Sequence, residues 1–279
     1  MIENFSKYKF FYINGCSHTE GGGLEESDIK ENSVIPIYEK KYGITWNNRK
    51  EVNYGKRLEE IINIKCINDA KSGAGVDRIV RTTYDFIFEN WKHKDEFFII
   101  LEKPDSSRSD VFYNKTKKYY IVNSTPEKNK NFIFGNATIE YFNKKYITEQ
   151  EDLKTFQNWF ENHYSFEEKC LQDEKAFLGL YSFCKLHSIK IFLMQSNDFI
   201  FNQCFDRNDI INFSNSKNID SIDVWSYKNK MTINDETNGQ YVDFHPGYFG
   251  HIEYAKNLAK FIGWVGNYPK YPIYKKNIL

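Results

Sequence analysis

The chain has no excess of charge of either sign. Lys plus Arg and Asp plus Glu each number 38 among 279 residues, so the formal net charge is zero. Without a basic excess there is no electrostatic footprint for nucleic acid or for an anionic membrane surface, and neither is expected as a partner. Long hydrophobic runs are also lacking. No stretch nears the ~20 apolar residues that a transmembrane helix needs. Lys7 and Lys9 precede only four apolar residues before Asn14, too few for a secretory signal. Cysteine is scarce and odd in number (Cys16, Cys66, Cys170, Cys184 and Cys204), and no two are spaced C-x-x-C. That pattern fits reduced, mostly buried thiols in a reducing compartment, not a disulfide framework. The expected location is cytoplasmic, or virion-associated in a particle assembled in the cytoplasm.

Aromatic residues are plentiful, with 24 Phe and 20 Tyr. An AT-rich genome accounts for such a bias, although aromatic surfaces also suit sugars and partner proteins. The apolar pattern is more informative. Lys9 to Ile13, Ile64 to Ile67, Glu96 to Leu101 and Ile189 to Met194 read as buried strands, and the run Phe97-Phe98-Ile99-Ile100-Leu101 is typical of a central parallel strand. Helical spacing marks Tyr54 to Asn63, Val76 to Trp91 and about Gly250 to Phe261. Thr148 with Glu151, and Ser165 with Glu168, form capping boxes for helices running toward Tyr164 and His187. Between these lie polar stretches at about 21–53 and 197–240. A third stretch, about 110–146, holds short strand-like pieces separated by Lys/Asn turns. The alternation predicts a single α/β domain: a three-layer α/β/α sandwich with a mainly parallel sheet, carrying those three insertions, the one at about 110–146 a small antiparallel β insertion.

Ligands of such sheets sit beyond the carboxyl ends of the strands. Ser17 falls there, in Gly15-Cys16-Ser17-His18-Thr19, directly after the first strand. Serine becomes a nucleophile when a base takes its proton, and the base, usually histidine, must be oriented by a third group. Asp243-Phe244-His245-Pro246 offers both. Residues two apart in an extended segment project to one side, and Pro246 biases His245 toward extension. Read alone, the segment is first a surface loop whose Asp and His cap the next helix. An oxyanion needs donors aimed at it, and Gly73, in Asn68-Asp69-Ala70-Lys71-Ser72-Gly73, offers an unobstructed backbone N–H, as does Ser17. Read alone, that glycine serves an ordinary strand-to-helix turn.

The three segments together resemble the SGNH (GDSL-like) hydrolase family. Gly15 to Thr19 is similar to its first block, Asn68 to Gly73 to its second, and Asp243 to Pro246 with Gly250-His251 to its last. The blocks occur in the family's order and span most of the chain. The resemblance implies an α/β/α fold, Ser17 as nucleophile, His245 as base, Asp243 as its orienting acid, and oxyanion donors from Ser17 and Gly73. His251 would be structural. The third block departs from the family pattern. Proline stands at Pro104, in Glu102-Lys103-Pro104-Asp105-Ser106-Ser107-Arg108, where the family places an asparagine donor. Either Lys103, Ser106 or Arg108 substitutes or the oxyanion hole is weaker, and an Arg-bearing third block is similar to a subset of family members seen in phages and viruses.

The resulting expectation is a serine esterase cleaving a carboxylic ester, such as an O-acetyl group on a glycan. The competing reading is a catalytically weak or inactive SGNH-like module used for binding, homo-oligomerisation or assembly of a virus particle. His18, Asp243, His245 and His251 are residue types that suit zinc. However, His251 falls on the last helix and His18 follows the nucleophile, so no metal and no cofactor is expected. Cys16 would point away from a site that Ser17 faces. Glu102, Asp105 and Arg108 read equally as substrate-pocket residues or as a local surface ion pair.

Overall fold

In the computed structural model the described residues are 4–22, 35–104, 108–113, 117–126, 132–134, 165–195, 204–212, 221–223, 233–234 and 244–272, with a few isolated positions besides. Five parallel strands form the central sheet: β1 (Phe10–Asn14), β2 (Lys65–Asn68), β3 (Phe97–Glu102), β7 (Lys190–Gln195) and β8 (Ile210–Asn212), in the order β2-β1-β3-β7-β8. The chain runs from β1 outward to β2, then returns to the other side of β1 to lay down β3. Strand order therefore reverses between β1 and β3, and the space beyond their carboxyl ends at such a point is where sheets of this kind hold ligands.

Strand alternation splits the sheet's side chains between two cores. Phe11, Ile13, Phe98, Ile100, Phe192 and Met194 face one layer of helices, α3 (Tyr54–Ile62) and α6 (Tyr248–Ile262), which contribute Leu58, Ile61, Ala255 and Leu258. Tyr12, Phe97, Ile99, Leu101, Ile191 and Leu193 face the other layer, α4 (Val76–Glu89) and α5 (Phe166–Leu186), which contribute Ile79, Phe86, Phe177 and Leu180. Every residue of β3 is buried, as expected of a strand covered on both sides. This is the three-layer α/β/α sandwich expected from the sequence.

The caps follow the sequence as well. Ser165 precedes α5 and its Oγ accepts the Glu168 N–H at 3.2 Å. Asn53 does the same for α3, its side chain accepting the Lys56 N–H at 2.9 Å. The antiparallel insertion is present as β4 (Arg108–Tyr113), β5 (Lys118–Pro126) and β6 (Phe132–Phe134), in the order β4-β5-β6. The strand expected at Thr138 to Phe142 lies outside the described residues, as does the helix from Thr148 toward Tyr164 except at Asn158 and Asn162, which are helical.

Two stretches hold more structure than their polarity suggested. Residues 21–53 include α2 (Ile35–Tyr42) and a 3-10 turn at Arg49–Glu51. Tyr38 and Trp46 there pack on Tyr248 and Phe249 at the start of α6, which gives the segment an aromatic core of its own. Residues 197–240 include the edge strand β8, whose three residues are too short for periodicity to detect. They also include β9 (Ser221–Asp223) and β10 (Ile233–Asn234), which join β11 (Phe244–His245) in a small antiparallel sheet. The first helix, α1 (Ser17–Glu20), is a single turn ended by Gly21 at φ +105°.

Removing the Ser165 cap leaves the first-turn N–H of Glu168 without its acceptor. Ser165→Ala is expected to lower the unfolding free energy by about 1 kcal/mol, read by urea denaturation. An unchanged midpoint would mean that α5 does not depend on this cap.

Candidate functional site

β1 and β3 end side by side, with Asn14 level with Leu101. The chain leaves β1 through Gly15 and Cys16 and turns into α1 at Ser17, which is 9% exposed. β3 ends in Glu102, a carboxylate set within the turn that follows β1. Glu102 Oε2 accepts from the Cys16 N–H at 3.3 Å, from the Cys16 thiol at 3.5 Å and from the Thr19 hydroxyl. Oε1 faces His18 Nδ1 at 3.1 Å. Tyr54 Oη, from α3, donates to Thr19 Oγ1 at 2.8 Å and holds that hydroxyl in place. Gly15 is required here by space. A Cβ at this position would stand 2.3 Å from Thr19 Oγ1 and 2.7 Å from both Cβ and Oε2 of Glu102.

The electrostatics follow from this packing. Burial by itself would raise the Glu102 pKa. The His18 hydrogen bond and charge, the Thr19 hydroxyl and the Cys16 N–H outweigh it and hold the carboxyl down at about 2. Burial, reinforced by the Glu102 charge, pushes the Cys16 thiol up to about 11, while Arg108, which hydrogen-bonds the sulfur, works in the opposite direction. Burial and Glu102 likewise push Tyr54 well above the ordinary tyrosine range.

The loop after β2 closes against the same turn. The Lys71 N–H donates to the Gly15 carbonyl at 3.2 Å, and the Ser72 N–H donates to Glu20 Oε2 at 2.6 Å. Glu20 is itself buried and paired with Arg49 at 2.8 Å. Burial opposes its ionisation, but Ser72 and Arg49 prevail and lower its pKa. Gly73 follows at φ +79°, a left-handed conformation that favours glycine. A second close approach brings in the third block. A Cβ on Gly75 would lie 2.3 Å from the Arg108 carbonyl oxygen, so the absence of a side chain there lets β4 lie against the start of α4 and bring Arg108 to Cys16.

The expected site residues thus fall in different places. Ser17 opens α1, Gly73 lies in the loop after β2 whose Lys71 and Ser72 bond the first turn, and Arg108 opens β4 beside Cys16. Lys103 pairs with Glu174 of α5 at 3.4 Å, and Ser106 hydrogen-bonds Asp173 of the same helix. Asp243 and Asp105 lie outside the described residues. The backbone of His245 is extended in β11, two residues before the Gly247 that caps α6. His251 is fully buried, stacked on Tyr54, and its Nδ1 accepts the Tyr54 N–H at 3.2 Å.

The sequence reading did not anticipate the central position of Glu102. The signal available was a carboxylate continuing an uninterrupted apolar strand, and it became informative only once β3 was known to lie beside β1. The Cys16 sulfur, a His18 ring nitrogen and a Glu102 oxygen lie within 4.8 Å of one another.

The fold is an α/β/α sandwich in which the turn after β1, the loop after β2 and the start of β4 lie against one another. No protein-family model and no curated protein sequence matches the chain. Among solved structures it is similar to an acetyl xylan esterase, Est2A, from the rumen bacterium Butyrivibrio proteoclasticus. The TM-score is 0.39 at 13% identity, over 93% of this chain and 65% of that one, a likeness too low to bear on activity.

Two outcomes test the Glu102 arrangement. A carboxyl whose folded pKa is depressed from 4.5 to about 2 stabilises the fold above pH 4.5, and that stabilisation is lost as pH falls from 4.5 through about 2. The wild type is expected to lose about 3 kcal/mol across that window, and Glu102→Gln to lack this component. Urea titrations at several acid pH values check this, and identical acid profiles would contradict it. Gly15→Ala is expected to cost about 1–3 kcal/mol through overpacking, seen as a lower denaturation midpoint.

Proposed function

We propose that the chain is a serine esterase of the SGNH type, hydrolysing a small carboxylic ester such as an O-acetyl group on a glycan. The whole chain is then one such domain, with insertions at about 21–53, 110–146 and 197–240. What supports the reading is that the Ser17 turn, the loop after β2 bonded to it through Lys71 and Ser72, and Arg108 beside Cys16 stand next to the reversal point of a parallel sheet. This is where an α/β fold places its ligands.

In this mechanism Ser17 Oγ attacks the ester carbonyl carbon while His245 takes its proton, and Asp243 holds the imidazole in the required tautomer. The carbonyl π electrons move onto oxygen, and the resulting anion is met by the N–H groups of Ser17 and Gly73. Arg108 supplies the further donor that Pro104 cannot. The close packing of its backbone on Gly75, next to the Gly73 loop, supports this assignment over Lys103 and Ser106, which engage α5. The intermediate collapses, the alkoxide leaves with the proton held by His245, and water activated by the same histidine releases the acid. Glu102 takes no part in proton transfer here. It fixes the turn from which Ser17 projects.

The test is hydrolysis of p-nitrophenyl acetate together with labelling by a fluorophosphonate. Ser17→Ala is expected to abolish both, and His245→Ala to lower kcat by at least about a thousandfold. Labelling that persists in Ser17→Ala would exclude this serine. Arg108→Met should cost about a hundredfold in kcat, with part restored in Arg108→Lys, since lysine keeps the charge but not the planar fork. An undiminished Arg108→Met enzyme would return the donor role to another group.

A further inference from the structure

Three potential metal donors of different chemistry surround the turn after β1. Cys16 Sγ lies 3.5 Å from Glu102 Oε2, and His18 Nδ1 lies 3.1 Å from Glu102 Oε1. All three donor groups fall within 4.8 Å of one another. Zinc–ligand bonds of about 2.0–2.3 Å in a tetrahedron imply donor separations of roughly 3.3–3.7 Å; the two short contacts fall on different Glu102 oxygens, so a small closing movement from separations of up to 4.8 Å brings one atom of each residue to three corners of such a site. We propose that Cys16, His18 and Glu102 form a binding site for a thiophilic divalent cation of the zinc class. The inference stands apart from the esterase reading, because it uses neither Ser17 nor His245.

Four features support it. One thiolate and one carboxylate would bring two negative charges to a divalent ion, offsetting the charge of the ion itself in a buried position. The ligands are held from behind, as metal ligands usually are. The Cys16 N–H and the Thr19 hydroxyl fix the Glu102 carboxylate, and Tyr54 Oη fixes Thr19. Access comes from the His18 side, where the side chain is 15% exposed, while Cys16 is 4% exposed. The set mixes nitrogen, sulfur and oxygen donors, which suits zinc or cobalt(II) and not magnesium or calcium, whose sites are built of oxygen.

The reading makes Cys16 a ligand where its burial alone would mark it as packing. It also places an ion on both sequence neighbours of Ser17, where its loss would loosen the turn that presents the serine.

Cobalt(II) added to the chelator-treated full-length protein tests this without reference to activity. One equivalent is expected to bind, with a thiolate-to-cobalt charge-transfer band in the near ultraviolet. Cys16→Ser should abolish that band, and His18→Ala should weaken binding at least about tenfold. Absence of the band at saturating cobalt(II), or its survival in Cys16→Ser, would overturn the proposal. X-ray absorption at the zinc edge on wild-type protein keeps the test independent of how the variants fold. One sulfur at ~2.3 Å with nitrogen and oxygen at ~2.0–2.1 Å is expected, and a shell with no sulfur, or with two or more, would refute the site.

Discussion

A single buried carboxylate organises the carboxyl edge of this sheet. Glu102 ends a strand whose residues are all buried, and a charge in that place is tolerated only when it is hydrogen-bonded on both oxygens. The donors come from the turn after β1: the Cys16 backbone and thiol, the Thr19 hydroxyl and the His18 ring. Satisfying Glu102 therefore fixes the path of the chain through Gly15, Cys16 and Ser17. It also requires Gly15, because any side chain there would occupy the space of the carboxylate. The position of Ser17 is thus a consequence of how a neighbouring strand's charge is compensated.

The same dependence extends outward. Tyr54 reaches Thr19 from α3, and His251 of α6 accepts the Tyr54 N–H. A run of hydrogen bonds then links the last helix to the turn after the first strand. On the other side, Glu20 takes the Ser72 N–H and the Arg49 side chain, tying the loop after β2 and the segment before α3 to α1. Elements distant in sequence meet at one place because each satisfies a buried polar group contributed by another.

Much of the sandwich was legible in the chain. The five-residue apolar run of β3, the helical spacing of α4 and the Ser165 cap of α5 are local signals that tertiary contacts reinforce. The missed elements lacked such signals. Strand β8 has three residues, and its partner is β7, from which it is separated by a polar stretch. Helix α2 draws its stability from Tyr38 packing on Trp46 and on aromatic residues of α6 more than 200 positions away, which no window on the sequence encompasses. At the site, Ser17, Gly73 and Arg108 stood out through motif and spacing, whereas Glu102 read equally as part of a surface ion pair.

The sequence alone determined which residues could carry chemistry and which segments alternate as strand and helix, because both follow from residue type and periodicity. The tertiary structure decided which of these residues meet. Strand order is set by crossovers whose outcome no local pattern records, and it put β3 beside β1, so that Glu102 meets Cys16, His18 and Thr19. Packing of β4 against Gly75 then sent Arg108 toward the first block, while Lys103 and Ser106 turned to α5, a choice fixed by contact distances and open until the layers were assembled.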